Sequence, residues 1–175
     1  MSEWWKRSAY LLVKTRPGAA QNVWKKSQTW PETIGSWMVT GPWDVLIWVD
    51  AHSWDEVYAK AVALKNSNWV DQTSSHFVYQ GGKNGHWWWQ KPAGSWVFLR
   101  GAKLNGNYQK LARWNWVTSW TSIPGEWDGL AWVSGKNWQE VWKHVWDLNQ
   151  SGWQTETLVP VKSWWNKSWS KSWWA

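Results

Sequence analysis

The sequence has no cysteine, only two methionines and only two phenylalanines among its 175 residues. Without cysteine the chain can form neither disulfides nor thiolate metal sites, and this composition is typical of a reducing compartment. It also has no run of 18 apolar residues, so we expect no membrane-spanning helix. The polar N-terminal residues are unlike a secretory signal peptide. These absences together favour a cytoplasmic protein that does not associate with membranes.

Most signatures of enzymes are also missing. The sequence contains no phosphate-cradling glycine loop, no nucleophile motif and no close pair of carboxylates. The four histidines are dispersed, at His52, His76, His86 and His144, and none has a ligand partner four residues further on. We therefore expect no catalytic residue, no metal and no cofactor, and predict that the protein is not an enzyme.

The residue present in excess is tryptophan, with 27 copies, alongside a net charge of +7. Many of these tryptophans occupy positions where an amphipathic pattern requires any large apolar residue. Others alternate with lysine near residues 4–7, 87–91 and 167–171, a composition that suits stacking on single-stranded nucleic acid. The alternative is that these segments pack on a neighbouring subunit. We prefer this alternative because so many exposed indole rings would otherwise make the protein prone to aggregate.

The chain is an internal duplication. The segment from Thr40 to Asp50 reads as a tight turn followed by a buried strand, and it returns 84 positions later between Pro124 and Ser134. At this offset glycine meets glycine in the turn, and the match extends ungapped over some forty residues, through Trp69 and Trp153. Two copies in 175 residues leave each copy close to the smallest size that can form its own core.

Each copy has the hydrophobic periodicity of a β-α-β-β-α-β unit. The first copy predicts strands at 9–14, 34–39, 45–49 and 73–79 and helices at 19–29 and 54–64. The second predicts strands at 96–100, 117–123, 130–133 and 155–161 and helices at 105–114 and 138–148. Capping residues precede the second helix of each copy, Ser53 in one and Asn137 in the other.

This order predicts an α+β fold made of two tandem ferredoxin-like units, which we expect to pack as a pseudo-dimer. We place unit boundaries at 8–80 and 94–162. Residues 81–93, rich in glycine, form the predicted linker, and residues 163–175 form a tail without a clear period.

The motifs of both copies resemble the ligand-binding (RAM) domain of the Lrp/AsnC regulators. The segments that carry the resemblance are the first strand with its turn, the threonine-glycine-x-aromatic-aspartate hairpin, the capped helix and the last strand: 9–18, 39–45, 53–57, 69–73, 125–128 and 155–159. The resemblance implies a ferredoxin-like fold, assembly into dimers and rings, and amino-acid effectors bound near the hairpin turn at interfaces. No helix-turn-helix precedes the first copy, so we expect no direct sequence-specific DNA binding.

We accordingly predict an effector site at the hairpin turns. The glycines can adopt backbone conformations that expose amides to a carboxylate, although a plain hairpin turn explains them equally. The aspartates can receive an ammonium group, or each can cap its own turn through a backbone N–H. The predicted effector-binding residues are Gly41, Trp43, Asp44, Gly125, Trp127, Asp128 and Thr157.

The function that we predict is a non-enzymatic, self-assembling sensing module that binds an amino-acid-like effector. One alternative is a structural subunit of a ring, tube or filament without a ligand, because contacts between repeated faces can propagate. Another alternative is an enzyme of the dimeric α+β barrel type, binding haem or a small molecule. His144, beside the apolar stripe of its helix, is the single route to a cofactor that the sequence offers.

Overall fold

A computed structural model describes residues 7–83, 93–101, 111, 113–123 and 125–170. The chain divides into two compact units. Unit 1 comprises the described residues of Met1–Val78 and Pro160–Ala175, and unit 2 comprises those of Tyr79–Val159. None of the helices in these ranges has the length and apolar character needed to cross a membrane.

Unit 1 follows the predicted β-α-β-β-α-β order. Its strands pair antiparallel in the order β4-β1-β3-β2, which is the arrangement of a ferredoxin-like sheet. The elements are β1 (Ser8–Thr15), α1 (Ala20–Ser27), β2 (Thr33–Thr40), β3 (Val45–Asp50), α2 (Trp54–Lys65) and β4 (Val70–Phe77).

The local sequence explains where the helices of unit 1 begin and end. The Ser53 hydroxyl accepts a hydrogen bond from the Glu56 N–H, and the Glu56 carboxylate accepts one from the His52 N–H. The cap at Ser53 forms as predicted, but the Glu56 carboxylate accepts from His52, one residue before the N–H that a capping box would use. The acidic residues in the first turn of α2 also interact favourably with the helix dipole. Helix α1 has no side-chain cap, and its Lys25 and Lys26 lie in the last turn, where positive charge is favourable.

One face of the unit 1 sheet packs against the two helices. Alternate residues of β1 and β3 point to this face and are buried, as period-two side-chain alternation requires. They meet apolar residues of both helices in a single cluster. The buried members from the strands are Ala9, Leu11, Val13, Val45, Ile47 and Val49, and those from the helices are Val23, Val57 and Leu64.

Unit 2 repeats the sheet and adds one strand. Its strands follow the order β9-β6-β8-β7-β5, which is the same ferredoxin-like order with β5 outside β7. The predicted helix at 105–114 falls largely outside the described residues, although Leu111 is helical and buried. The elements are β5 (Gln80–Lys83), β6 (Ala93–Arg100), β7 (Val117–Ser122), β8 (Gly129–Gly135), α3 (Trp138–Gln150) and β9 (Gln154–Trp165).

Two segments that we expected to be irregular contain strands. Residues 81–83 of the predicted linker form β5 together with Gln80, and β9 continues into the predicted tail as far as Trp165, followed by α4 (Lys167–Ser170). Glycine-rich sequence predicts turns, but an edge strand needs only backbone N–H and C=O groups, which β5 shares with β7. The end of β9 is held within unit 1, where the Asn166 N–H donates to the Ile34 carbonyl at 2.9 Å.

Candidate functional site

The predicted effector residues of unit 1 lie at the turn between β2 and β3. Gly41 has φ of 134°, a left-handed conformation that side chains rarely adopt, and it is exposed. Trp43 is half-buried beside it. The turn therefore requires glycine at this position. A plain hairpin turn and an effector site would both need it.

The Asp44 carboxylate is engaged by the end of β1. Its Oδ2 accepts hydrogen bonds from the Thr15 N–H at 2.8 Å and from the Thr15 hydroxyl at 3.2 Å. Its Oδ1 lies 3.8 Å from the Lys14 ammonium. The carboxylate thus fixes the hairpin turn to the neighbouring strand. The Asp44 oxygens that would accept hydrogen bonds from a ligand ammonium are used here to hold the structure.

The equivalent turn of unit 2 has the same construction. Gly125 has φ of 151°, and the Asp128 Oδ2 accepts a hydrogen bond from the Gly101 N–H at 2.9 Å. Trp127 packs against Phe98 with ring centroids 5.7 Å apart, and the Arg100 guanidinium lies 4.6 Å from the Trp127 ring. Each unit therefore ties its turn to its first strand through an aspartate.

Thr157 lies on a different side of the sheet from Trp127. On β9 it stands opposite Val97, whose side chain belongs to the cluster packed on the helices. Trp127 instead contacts Phe98, the next residue of β6, which points to the other face. The structure brings Asp128 and Trp127 to one turn and leaves Thr157 apart from them.

A second group of reactive side chains lies on the face of the unit 1 sheet opposite its helices. Trp48, Tyr10 and His76 stand directly beside one another on β3, β1 and β4, and we call these three residues the histidine row. The Tyr10 and Trp48 rings stack with centroids 5.7 Å apart. Tyr10 is 2% exposed and His76 is 6% exposed. A histidine and a phenol this deeply buried on neighbouring strands are candidates for chemistry.

His76 is oriented by its own strand. Its Nε2 lies 2.9 Å from the hydroxyl oxygen of Ser74, two residues earlier and hence on the same face. This contact restricts how the ring can rotate and which nitrogen is offered to a ligand.

Asp50 completes the group, one step along the sheet from the histidine row. It stands opposite Ser8, whose hydroxyl lies 3.3 Å from the Asp50 Oδ1. Burial raises the pKa of the Asp50 carboxyl, and this effect exceeds the lowering by the Ser8 hydrogen bond and by the charges of His52 and Arg7. The proton is therefore held to a higher pH than on an exposed aspartate.

His144, the histidine that the sequence offered for haem, is committed to packing. Its Nδ1 lies 3.1 Å from the Ser134 carbonyl oxygen, to which it can donate, and its ring stacks on Trp116 with centroids 4.4 Å apart. Across the described part of the chain, no three histidine, aspartate or glutamate side chains converge as a metal site would require.

The sequence analysis missed the histidine row. It placed residues 73–79 in a strand, and alternation puts Ser74 and His76 on one face, so the local signal was present. The neighbours of His76 were not predictable, because Tyr10 and Trp48 come from distant parts of the chain and meet it through strand order alone.

Comparison with known proteins assigns the fold. No family model matches the chain, and no curated protein matches it. The crystal structure of the siroheme decarboxylase NirDL matches 94% of this chain and 77% of its own, with a TM-score of 0.70 and 8% identity. The same enzyme in co-complex with an iron-uroporphyrin III analogue matches 95% of this chain and 77% of its own, with a TM-score of 0.68 and 8% identity.

Matches to single units are weaker. The hypothetical protein PHS023 from Pyrococcus horikoshii and a protein titled FFRP-DM1 each cover 39% of this chain at 20% identity. They are covered over 83% and 92% of their own lengths, but the TM-score of 0.37 is too low to support an argument. The likeness to NirDL, with its TM-score of 0.70, shows the ferredoxin-like α+β fold that we predicted, and of the Lrp/AsnC resemblance the comparisons support this fold at most.

The expectation that the protein is not an enzyme is contradicted. The solved structures just described, which match nearly the whole chain, are of an enzyme. The absence of a local enzyme motif was a weak argument, because acid-base chemistry needs only one or two placed side chains, and distant segments of a chain can supply them.

Proposed function

We propose that the protein is an enzyme that binds a flat polycarboxylate of the tetrapyrrole class at the histidine row and removes one of its carboxyl groups. The observation that carries the proposal is the buried arrangement of Tyr10, His76 and Asp50 on one sheet face. The fold that the chain shares with the siroheme decarboxylase supports it, since the duplicated ferredoxin-like scaffold is compatible with this chemistry.

The dimensions of the histidine row suit a broad ligand. Its three residues lie on adjacent strands, which are about 4.8 Å apart, so the row spans roughly 10 Å. The stacked rings of Tyr10 and Trp48 are 2% and 8% exposed, and the Trp165 ring lies edge-on to Trp48 with centroids 6.4 Å apart. A flat conjugated molecule would therefore stack on these rings after displacing the side chains that pack there. An amino acid would contact only part of this row, whereas a macrocycle would contact all of it.

The reaction needs a proton donor and no oxidant. The bond between the carboxylate carbon and its neighbour breaks, carbon dioxide leaves, and the electron pair stays on the neighbouring carbon, which then takes up one proton. We assign this proton to Asp50, because burial raises the pKa of its carboxyl. We assign His76, held by Ser74, to binding and orienting the substrate carboxylate through a hydrogen bond.

A titration with iron-uroporphyrin III, followed by its absorbance, tests the binding step. We expect the wild-type chain to bind and His76→Gln to weaken binding by about tenfold, which corresponds to the loss of about 1.4 kcal/mol. His52→Gln is the matched control, since His52 is exposed in a loop. Equal affinities for wild type and His76→Gln would remove His76 from the site.

Product analysis by mass spectrometry tests the chemical step. Asp50→Asn should bind the tetrapyrrole as wild type does and release carbon dioxide about a hundredfold more slowly, as expected for loss of a proton donor. A wild-type chain that neither binds nor decarboxylates iron-uroporphyrin III would refute the proposed function.

We propose, second, that a small amino-acid-like carboxylate contacts the unit 2 turn. The supporting observation is the Arg100 guanidinium, which lies over the Trp127 ring and is 44% exposed. Its Nε donates to the Glu126 backbone carbonyl at 2.9 Å, whereas its contact with the Glu126 carboxylate is 3.7 Å long. Calorimetry with a panel of amino acids tests this proposal. Arg100→Met should abolish the heat of binding, and a panel without any binder would end it.

A further inference from the structure

The duplication allows the two sheets to be compared position by position. In unit 1, Tyr10 stands between Trp48 and His76. In unit 2, the corresponding residue is Trp96 on β6, which stands between Trp132 on β8 and Leu158 on β9. Strand pairing therefore makes Leu158 the counterpart of His76 and Trp96 the counterpart of Tyr10.

The counterparts in unit 2 carry no group that can exchange a proton. The phenol of unit 1 is replaced by an indole and the imidazole by an aliphatic chain. One row further, Asp50 and Ser8 correspond to Ser134 and Gly94. The Glu156 carboxylate also lies on this face of unit 2, at the position that Ser74 occupies in unit 1.

Indole rings also fill the space in unit 2. The Trp132 ring lies directly above Gly94, where a Cβ would collide with ring atoms Cζ2 and Cε2. In unit 1 this position is Ser8, whose hydroxyl reaches Asp50. Trp132 meets Trp96 edge-on with centroids 5.1 Å apart, whereas Trp48 stacks on Tyr10. At the positions that Tyr10, His76 and Asp50 occupy in unit 1, unit 2 thus has Trp96, Leu158 and Ser134, none of which is acidic or basic.

From this asymmetry we infer that the duplicated chain holds one functional site, on unit 1, and that the equivalent face of unit 2 serves packing alone. The inference rests on the proposed function for the identity of the ligand, but the asymmetry itself does not. Each chain then binds one tetrapyrrole, and unit 2 contributes stability rather than chemistry.

Ligand stoichiometry is the first test, with iron-uroporphyrin III as the probe and the full chain as the receptor. We expect one equivalent per chain in wild type, a tenfold or greater loss of affinity in His76→Leu, and no effect from Leu158→Met. Two equivalents per chain, with one surviving in His76→Leu, would overturn the inference while the proposed function stands.

Unfolding by urea without ligand is the second test, and it decides the inference even if the probe does not bind. Groups kept for function are usually not optimal for stability. We expect His76→Leu, which gives unit 1 the unit 2 residue, to keep or raise the midpoint, and Leu158→His, the reverse change, to lower it. A midpoint that falls equally in both variants would make His76 a packing residue like Leu158 and overturn the inference.

Discussion

Replacing Asp44 by alanine should destabilise the protein in the absence of any ligand. The Thr15 N–H and hydroxyl both donate to this carboxylate, and Thr15 is only 8% exposed. Leaving a buried donor without an acceptor costs about 1–3 kcal/mol. The Lys14 ion pair adds little, because it is 3.8 Å long and its side chains are 44% and 29% exposed. We expect a loss of about 2 kcal/mol in the free energy of unfolding.

The measurement is urea unfolding of the ligand-free chain. With a slope of about 2 kcal/mol per molar, a loss of about 2 kcal/mol lowers the midpoint by about 1 M. Asp44→Asn keeps an oxygen acceptor and should lose about half as much.

Asp71→Ala is the matched control for this experiment. Its ion pair with Arg16 is more than half exposed on both sides, so its removal should cost under about 0.5 kcal/mol. If Asp44→Ala behaves like Asp71→Ala, the hydrogen bonds to Thr15 do not stabilise the turn and our reasoning is refuted.

Two further substitutions test the sheet faces. The pKa of Asp50 is raised in the folded state, so its charged form lowers the free energy of unfolding, and this cost is fully present above the folded pKa. Asp50→Asn should therefore raise the urea midpoint at pH 7. The gain should shrink as the pH falls toward 3.8, the ordinary pKa of aspartate. An unchanged difference between pH 7 and pH 4 would contradict this. Gly94→Ala should lower the free energy of unfolding by about 1–3 kcal/mol, because its Cβ collides with Trp132. Trp132→Phe in the same chain should recover part of the loss, and no recovery would place the strain elsewhere.

The sequence was sufficient for the fold because its elements carry strong local signals. Ser53 and Asn137 mark helix starts through side-chain caps, and both caps form. The continuous apolar run from Val45 to Val49 predicts a buried strand, and β3 is buried on both faces, with Val45, Ile47 and Val49 in the core against the helices. The ends of elements were less predictable, since β5 and the last residues of β9 form through backbone pairing that needs no side-chain pattern.

The residues of the hairpin turns show how far the role of a site residue can be predicted from the sequence. The sequence predicted that Gly41 and Gly125 adopt unusual backbone conformations, and both have positive φ. It left open whether Asp44 receives a ligand or a backbone donor. The donor is Thr15, at the end of another strand, and no local pattern in the turn names that residue. A carboxylate near a turn has a predictable role only when its partner is within the same turn.

The unequal spacing of the two copies explains why the asymmetry of their faces is hidden in the sequence. Most of the repeat keeps an offset of 84, but strand pairing places Tyr10 with Trp96 and His76 with Leu158. Tyr10 and Trp96 are separated by two residues more than this offset, and His76 and Leu158 by two fewer. An ungapped comparison of the two copies therefore aligns neither pair. Insertions of two residues preserve which face a side chain occupies, because the strand period is two. The two copies therefore share their fold despite the length differences, while the second face carries Tyr10 and His76 in unit 1 and Trp96 and Leu158 at the same positions in unit 2.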